Sequence, residues 1–133
     1  MVFSVRNLVG EAAALIEHVS SKEAFDETAS GKATFLDVRE PVEWEEHLAG
    51  AVQVPRGLLE FVGDPECGPH LPPSIKGLEP TRRYIVYCGT GARAALATLT
   101  LKTMGFERVA NLKGGLKAWK EAGLPTVHDH SGI

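Results

Sequence analysis

The segment Cys88-Gly89-Thr90-Gly91-Ala92-Arg93 is the part of the sequence best suited to chemistry. It follows an apolar run at residues 84–87 and precedes an alanine- and leucine-rich stretch, so the pattern predicts a buried strand that ends at a thiol, with a helix beginning just after it. The glycines allow successive backbone N–H groups to turn toward the sulfur, while the helix N-terminus and the Arg93 guanidinium add positive charge. We therefore expect Cys88 to ionise more readily than an ordinary thiol and to act as a nucleophile.

The alternative for Cys88 is a packing role, because free cysteines are usually inert core residues. The preceding strand, the two glycines and the arginine five positions later all favour catalysis over that alternative. Cys67 is the second thiol, and a disulfide between it and Cys88 is a further hypothesis. In a parallel topology the segment with Cys67 leads to the start of the strand that ends at Cys88, which argues against this pairing.

Length, charge and cysteine content restrict the class of protein. A chain of 133 residues is one domain of ordinary size, and its formal net charge of −3 with scattered basic residues argues against nucleic-acid binding. No apolar run approaches the length of a membrane span. Arg6, Asn7 and Glu11 interrupt the apolar N-terminus, so we expect no secretory signal. With only two cysteines, a reducing, cytoplasmic location is the expectation.

Strand and helix patterns alternate along the chain. The predicted strands lie at residues 18–19, 34–38, 51–54, 83–87 and 109–112, with helices between them and a further helix at residues 8–16. Such alternation predicts an α/β fold in which helices cover both faces of a parallel sheet. Residues 62–82 are predicted to form a long loop, because five of the eight prolines occur there. Residues after Val127 are expected to form a loose tail.

Ligands of open α/β sheets bind beyond the carboxyl ends of the strands. At that edge we expect Asp37 and Arg39 after the second strand, Arg56 after the third, and Lys113 after the fifth. The cations predict an anion-binding rim formed by Arg39 and Arg56, with surface ion pairs as the alternative for each. Glu43, Glu45 and Glu46 have the pattern of a solvated face.

Four blocks of the sequence together resemble the single-domain rhodaneses, a family of sulfurtransferases. They span most of residues 19–125. We therefore divide the chain into an N-terminal helical extension at residues 1–17, which lies outside the resemblance, a domain at residues 18–127 and a flexible tail at residues 128–133. One block would be weak support, but four in the family's order make the resemblance specific. The blocks are Leu36-Asp37-Val38-Arg39-Glu40, His47-Leu48-Ala49-Gly50-Ala51-Val52 with Pro55, residues 88–93, and Asn111-Leu112-Lys113-Gly114-Gly115 with Trp119.

The resemblance implies a rhodanese-like three-layer fold with a five-stranded parallel sheet, and a cysteine that alternates between thiol and persulfide. Carried to this chain, Cys88 is the nucleophile, the N–H groups of residues 89–93 hold the persulfide, and Arg93 closes the loop. Asp37, His47 and Trp119 match signature positions as scaffold residues. The implied reaction moves sulfane sulfur from thiosulfate or a persulfide to cyanide or a thiol, through a covalent Cys88 persulfide and without a metal or an organic cofactor.

Two rival functions follow from the same residues. A related branch of the fold hydrolyses phosphate esters with a cysteine loop, but those loops have one more residue between cysteine and arginine than the four here. Nor does this loop contain a carboxylic acid to protonate a leaving group, so sulfur transfer is favoured. The other rival is a persulfide carrier that serves one protein partner. The close pair His128 and His130 lacks the further ligands of a metal site, and the sequence leaves the oligomeric state open.

Overall fold

The computed structural model describes residues 2–129 of the chain. Its centre is a parallel sheet of five strands, which are β1 (Glu17–Val19), β2 (Thr34–Asp37), β4 (Val52–Gln53), β5 (Tyr84–Tyr87) and β6 (Ala110–Leu112). They lie side by side in the order β1, β6, β5, β2, β4. The predicted five-stranded α/β sheet is confirmed, and β5, which leads to Cys88, lies at its centre.

Within residues 2–129, five α-helices surround the sheet. They are α1 (Val5–Ala14), α2 (Ser21–Ala29), α3 (Leu59–Val62), α4 (Ala92–Thr103) and α5 (Gly115–Glu121). Short 3-10 helices occupy Pro41–Glu43, Arg56–Leu58 and Pro65–His70. Because every connection between the parallel strands must cross a face of the sheet, the helices cover both sides of it.

The central strands are buried on both faces, so successive side chains enter two separate cores. Leu36, Val86 and Cys88 belong to the core that contains Ala94 and Leu101 of α4. Their neighbours in sequence belong to the second core, which includes Phe35, Ile85, Tyr87, and Trp119 of α5. Cys88 therefore continues the alternation of β5 and lies on the α4 side of the sheet.

The N-terminal helix begins earlier than residue 8, the predicted start. Ser4 accepts a hydrogen bond from the Asn7 N–H at 3.1 Å and so caps α1. The helix packs on α4, and its C-terminal end is held by Lys102, whose Nζ donates to the Leu15 carbonyl. The extension is thus joined to the helix that follows the thiol.

The predicted long loop contains structure of its own. Pro65–His70 forms a 3-10 helix, and after it Leu71, Ile75 and Leu78 pack against the core on the α4 side. The backbone also returns to the domain, because the Leu78 N–H donates to the Val62 carbonyl at 3.1 Å. Three apolar anchors and this hydrogen bond hold the segment against the body of the protein.

The prediction of a loose tail after Val127 is wrong for the residues that the structure describes. Val127–His128 forms β7, which pairs antiparallel with β3 (Glu46–His47), and Asp129 follows it. The Asp129 N–H donates to the Glu45 carbonyl at 2.8 Å, and its carboxylate lies 3.0 Å from His47 Nε2. Residues 130–133, the rest of the predicted tail, lie outside the described residues.

None of the helices within residues 2–129 has both the length and the apolar character that crossing a membrane requires.

Stability should fall slightly as pH rises through neutrality, because of His47. Burial lowers the pKa of His47, but hydrogen bonds to the Leu48 carbonyl and to Asp129 outweigh it, so the folded-state pKa is raised above 6.5. The stabilisation that protonated His47 provides is complete below its unfolded-state pKa and is lost as pH rises through its folded-state pKa. Between about pH 6 and about pH 8 we expect a loss of less than about 1 kcal/mol, since Asp129 is half exposed.

Urea unfolding at the two pH values measures this loss. The D129N variant provides the control, because it removes the counter-charge and leaves a group of similar shape. The pH dependence of its unfolding free energy should be shallower than that of the wild type. Equal slopes would show that the His47–Asp129 pair contributes nothing.

Candidate active site

Cys88 lies directly after β5 and is 1% exposed. Its Sγ accepts hydrogen bonds from two backbone N–H groups, at 3.1 Å from the Gly91 nitrogen and 3.4 Å from the Ala94 nitrogen. The sequence predicts that the N–H groups of residues 89–93 hold the sulfur. Gly91 lies in that range, whereas Ala94 is the residue directly after it. Main-chain dipoles aimed at the sulfur stabilise negative charge there.

The loop needs a glycine where it turns into α4. Gly91 precedes the first helical residue with φ of +105°, a left-handed conformation that other residues adopt only at a cost. From this position its carbonyl accepts the Ala95 N–H at 2.9 Å, while its own N–H points at Sγ. One residue thus starts the helix and donates to the sulfur.

The outward-facing carbonyls of the loop are bound by the start of α5. The Leu116 N–H donates to the Cys88 carbonyl and the Lys117 N–H donates to the Gly89 carbonyl, both at 2.9 Å. Gly115 permits this approach, since a Cβ there would lie 2.6 Å from the Cys88 oxygen and 2.7 Å from the Gly89 oxygen. The loop is therefore held between α4 and α5.

Arg93 closes the loop by binding a carboxylate outside it. Its Nη1 and Nη2 donate to the two carboxylate oxygens of Glu43 at 2.7 Å and 3.0 Å, in a bidentate pair. The Arg93 guanidinium lowers the pKa of Glu43 to about 2, although partial burial opposes this shift. The expectation that Glu43 belongs to a solvated face is wrong, because its charge compensates the arginine of the loop.

Arg39 does not lie on an anion-binding rim, contrary to the prediction. It is 4% exposed, and its Nε and Nη2 bind the two oxygens of Asp37 at 3.0 Å and 2.8 Å. Nη2 also donates to the Glu46 carbonyl at 2.7 Å. The guanidinium is thus enclosed and neutralised, so it acts as the partner of a buried carboxylate.

The Asp37 network also includes the residue before the thiol. The Tyr87 hydroxyl donates to Asp37 Oδ2 at 2.8 Å and accepts the Leu48 N–H at 3.0 Å. The pKa of Tyr87 is raised, mainly by burial and then by the Asp37 charge. The sequence predicts His47 to be a hydrogen-bonding scaffold residue. Its Nδ1 forms a hydrogen bond with the Leu48 carbonyl, which places His47 at the end of this network.

Arg56, the second residue of the predicted rim, faces the far half of α4. Its guanidinium donates to Glu60 at 2.9 Å and to the Thr100 hydroxyl at 3.2 Å, about two helical turns beyond the loop. Lys113 is exposed and lines a cleft of about 430 Å³ together with Thr90, and α1 provides part of the opposite wall. Of the four predicted edge residues, only Lys113 thus presents a cation next to the loop.

Both cysteines of the chain are free thiols in the structure. Cys67 lies in the 3-10 helix Pro65–His70, and its Sγ is 3.7 Å from an Asp64 oxygen. Burial and the neighbouring Asp64 carboxylate raise the pKa of Cys67. A raised pKa makes this thiol a poor nucleophile at neutral pH. Within residues 2–129, moreover, no cluster of histidine, cysteine and acidic side chains is arranged to hold a metal ion.

Comparisons with known proteins agree with this geometry. The family model of the rhodanese-like domain matches residues 20–122, inside the predicted range of 18–127. The chain belongs to the rhodanese-like domain family.

Among curated relatives, the chain is 32% identical over 111 residues to the probable adenylyltransferase/sulfurtransferase MoeZ of Mycobacterium tuberculosis. That match covers 82% of the chain but 26% of MoeZ, so the chain corresponds to about a quarter of that protein. A sulfurtransferase of Allochromatium vinosum is 32% identical over 93 residues, covering 69% of the chain and 76% of the relative.

Among solved structures, a protein of unknown function from Rhodopseudomonas palustris matches with a TM-score of 0.82 and 30% identity over 96% of each chain. It is described as a "possible tyrosine phosphatase". Its coverage shows that the resemblance extends beyond the family model to include the N-terminal helix.

Three elements of this rhodanese-like site were missed in the sequence. Glu43 is predicted to be solvated, although its position two residues after Pro41, in the stretch that follows a strand, is a usable signal. Glu46 likewise binds partners distant in sequence, Lys120 and Thr126. The role of Gly115 against the loop carbonyls depends on a contact between two segments far apart in the chain.

Replacing Gly115 with alanine should destabilise the rhodanese-like domain through the loop. A methyl group there meets two carbonyl oxygens and the residue has φ of +62°, whereas Gly31, with φ of +77°, has open space around it. G115A should cost about 1 to 3 kcal/mol more than G31A, because overpacking adds to the shared backbone strain. Urea unfolding compares the two variants, and equal losses would contradict the contact.

Removing the charge of Asp37 should destabilise the domain strongly. D37N leaves the Arg39 guanidinium buried without a counter-charge, so the free energy of unfolding should fall by about 3 to 5 kcal/mol. The matched control is D26N on α2, where Asp26 forms an exposed pair with Lys22 and the change should be within about 0.5 kcal/mol. Chemical denaturation measures both, and similar small losses would show that the buried network is dispensable.

Proposed function

We propose that this chain is a rhodanese-type sulfurtransferase that carries sulfane sulfur as a persulfide on Cys88. The observation that carries the proposal is the buried Sγ of Cys88, which accepts the N–H groups of Gly91, within the loop of six residues, and of Ala94, the residue directly after it. Sulfurtransferases among its relatives support the same reaction class. In the first step the Cys88 thiolate attacks the terminal sulfur of a small donor, the donor's S–S bond breaks, and Cys88 retains the sulfur.

With thiosulfate as donor, the bond electrons leave with sulfite, and the outer sulfur of the Cys88 persulfide carries the negative charge. A nucleophile, cyanide in an assay or a thiol in a cell, then attacks that outer sulfur, and the bond electrons return to Cys88 as thiolate. The loop N–H groups stabilise charge at the sulfur in both states without reorganisation. The proposed cycle uses the protein thiol and needs neither a metal nor an organic cofactor.

The surroundings of the loop favour a donor of low charge. Arg93 is neutralised by Glu43, and Arg39 by Asp37, so these two arginines offer little net attraction to a dianion, and the cation beside the loop is the solvent-exposed Lys113. We infer that thiosulfate is a slower donor than a persulfide, in which the transferable sulfur is terminal and at most singly charged. The burial of Cys88 also suits a donor that presents a single atom.

The rival functions differ in what they turn over. A persulfide carrier for one protein partner would load Cys88 but release little sulfur to free thiols or cyanide. A phosphatase would hydrolyse an aryl phosphate, and the loop, with four residues between Cys88 and Arg93, has the shorter form that suits sulfur. We also propose a reducing, cytoplasmic setting, which the two free cysteines support.

Incubation with thiosulfate or a polysulfide should add one sulfur atom to the wild-type protein, and cyanide should remove it as thiocyanate. Intact-mass spectrometry and a thiocyanate assay measure the two steps. C88S should lose both completely, while C67S should retain both, because Cys67 lies outside the loop and has a raised pKa.

Three results would overturn parts of this proposal. Loading without release to cyanide or thiols would favour the carrier, and loading of C88S would place the reactive thiol elsewhere. Hydrolysis of an aryl phosphate that is abolished in C88S would favour the phosphatase.

A further inference from the structure

The carboxylate of Glu43 is joined to the thiol loop although it belongs to a different element. Glu43 ends the 3-10 turn that follows β2, whereas Arg93 is the last residue of the loop. Nη1 and Nη2 of Arg93 donate to the two oxygens of Glu43 at 2.7 Å and 3.0 Å. Both terminal nitrogens of the guanidinium are therefore engaged by one carboxylate.

Local contacts of its own turn also hold Glu43 in place. The Glu43 N–H donates to the Glu40 carbonyl at 2.8 Å, and the Glu40 N–H donates back to Glu43 Oε1 at 3.1 Å. Pro41, the first residue of the turn, restricts the backbone further. The turn thus positions the carboxylate by contacts that do not involve Arg93.

The charge of Glu43 is permanent at neutral pH. The hydrogen bonds from Arg93 lower the pKa of Glu43 to about 2, against the opposing effect of partial burial, and the Glu40 N–H lowers it further. A carboxyl group with such a pKa is fully ionised under any condition in which sulfur transfer would be assayed. The Glu43–Arg93 pair therefore carries no net charge during turnover.

This ion pair lies against the loop at the residue that follows the thiol. A Cβ added to Gly89 would lie 3.7 Å from Nη2 of Arg93, the nitrogen that donates to Glu43 Oε2. The pKa of Arg93 is raised, mainly by the hydrogen bond to Glu43 and further by the charges of Glu43 and Cys88, while burial opposes the shift. Since Coulombic interactions are mutual, the charges of this pair act on an anion at the sulfur without contacting it.

We propose that Glu43 is a specificity-determining residue that makes the loop favour singly charged sulfur donors over dianions, an inference that rests on the proposed function. By neutralising Arg93, it removes the positive charge that would otherwise attract the second negative charge of a donor such as thiosulfate. The N–H groups of Gly91 and Ala94 stabilise the charge at the sulfur in either case. Glu43 acts through Arg93 and takes no part in the bond changes.

Two small donors provide the matched pair for a test on the full chain. Thiosulfate is a dianion, and methanethiosulfonate is a monoanion in which a methyl group replaces one charged oxygen. With either donor the Cys88 thiolate attacks the terminal sulfur, the S–S bond breaks, and the electron pair leaves with sulfite or with methanesulfinate. The same Cys88 persulfide results, and cyanide removes it as thiocyanate. The ratio of kcat/KM for thiosulfate to kcat/KM for methanethiosulfonate therefore reports on the second charge.

E43Q should raise this ratio, because it leaves the charge of Arg93 uncompensated. For charges about 7 Å apart and an effective dielectric constant of about 40, one unit of charge corresponds to a roughly fivefold to tenfold rise. E43D keeps a carboxylate near the guanidinium and should stay within about twofold of the wild type. The matched control is E60Q, which breaks a similar ion pair with Arg56 away from the loop and should leave the ratio unchanged.

Ionic strength gives a second readout of the same charge. Between about 0.05 M and about 0.5 M salt the ratio should fall more steeply in E43Q than in the wild type, because salt screens the attraction of the uncompensated Arg93. The Glu43–Arg93 pair is partly exposed and contributes little to stability, so urea unfolding of E43Q should resemble that of the wild type. E43A gives the same comparison of donors if E43Q folds poorly.

The outcomes separate this inference from the function on which it rests. A wild type that loads sulfur at Cys88 from neither donor nor from polysulfide overturns the sulfur-transfer function and this inference with it. A wild type that loads sulfur, but whose donor ratio is shared by E43Q and E43A, overturns the role of Glu43 alone. The same holds if E43D changes the ratio as much as E43Q does, since shape rather than charge would then matter, or if E60Q raises it equally.

Discussion

The buried charge of Asp37 is the constraint on which the geometry of the site depends. A carboxylate with 0% exposure must be compensated, and its partners are the Arg39 backbone N–H, the Arg39 guanidinium and the Tyr87 hydroxyl. Asp37 ends β2 and Tyr87 ends β5, so satisfying this charge fixes the carboxyl ends of two neighbouring strands relative to each other. Cys88 is the next residue after Tyr87. The position of the thiol is thus set by a charge that never contacts it.

The loop itself works because its two sets of backbone groups face opposite ways. N–H groups of Gly91 and Ala94 point at the sulfur, while the carbonyls of Cys88 and Gly89 are bound by the first turn of α5. Since Arg39 and Arg93 are neutralised by carboxylates and Lys113 is exposed to solvent, the fixed main-chain dipoles that contact the sulfur are the main stabilisation of an anion there. Such a site matches the single negative charge of a thiolate or a persulfide better than the two charges of a phosphate ester.

Local pattern was sufficient to predict the sheet, the helices around it and the thiol at the end of β5, because each depends on periodicity and turn residues close in sequence. It failed where partners are distant in sequence. Whether Arg39 faces solvent or a buried Asp37 cannot be deduced from spacing, since the two side chains leave the same strand end in either case. Glu43 and Arg93 are likewise 50 positions apart. The strand β7 was missed because its antiparallel partner, Glu46–His47, is only two residues long.

The 3-10 turn Pro41–Glu43 connects the thiol loop to a cavity beside β4. Glu43 binds Arg93 of the loop, whereas Pro41 and the following Trp44 line the cavity beside β4. Because the turn is only three residues long, a displacement of Trp44 also bears on Glu43, and through the bidentate pair on the loop. The turn therefore joins the loop mechanically to side chains that lie outside it.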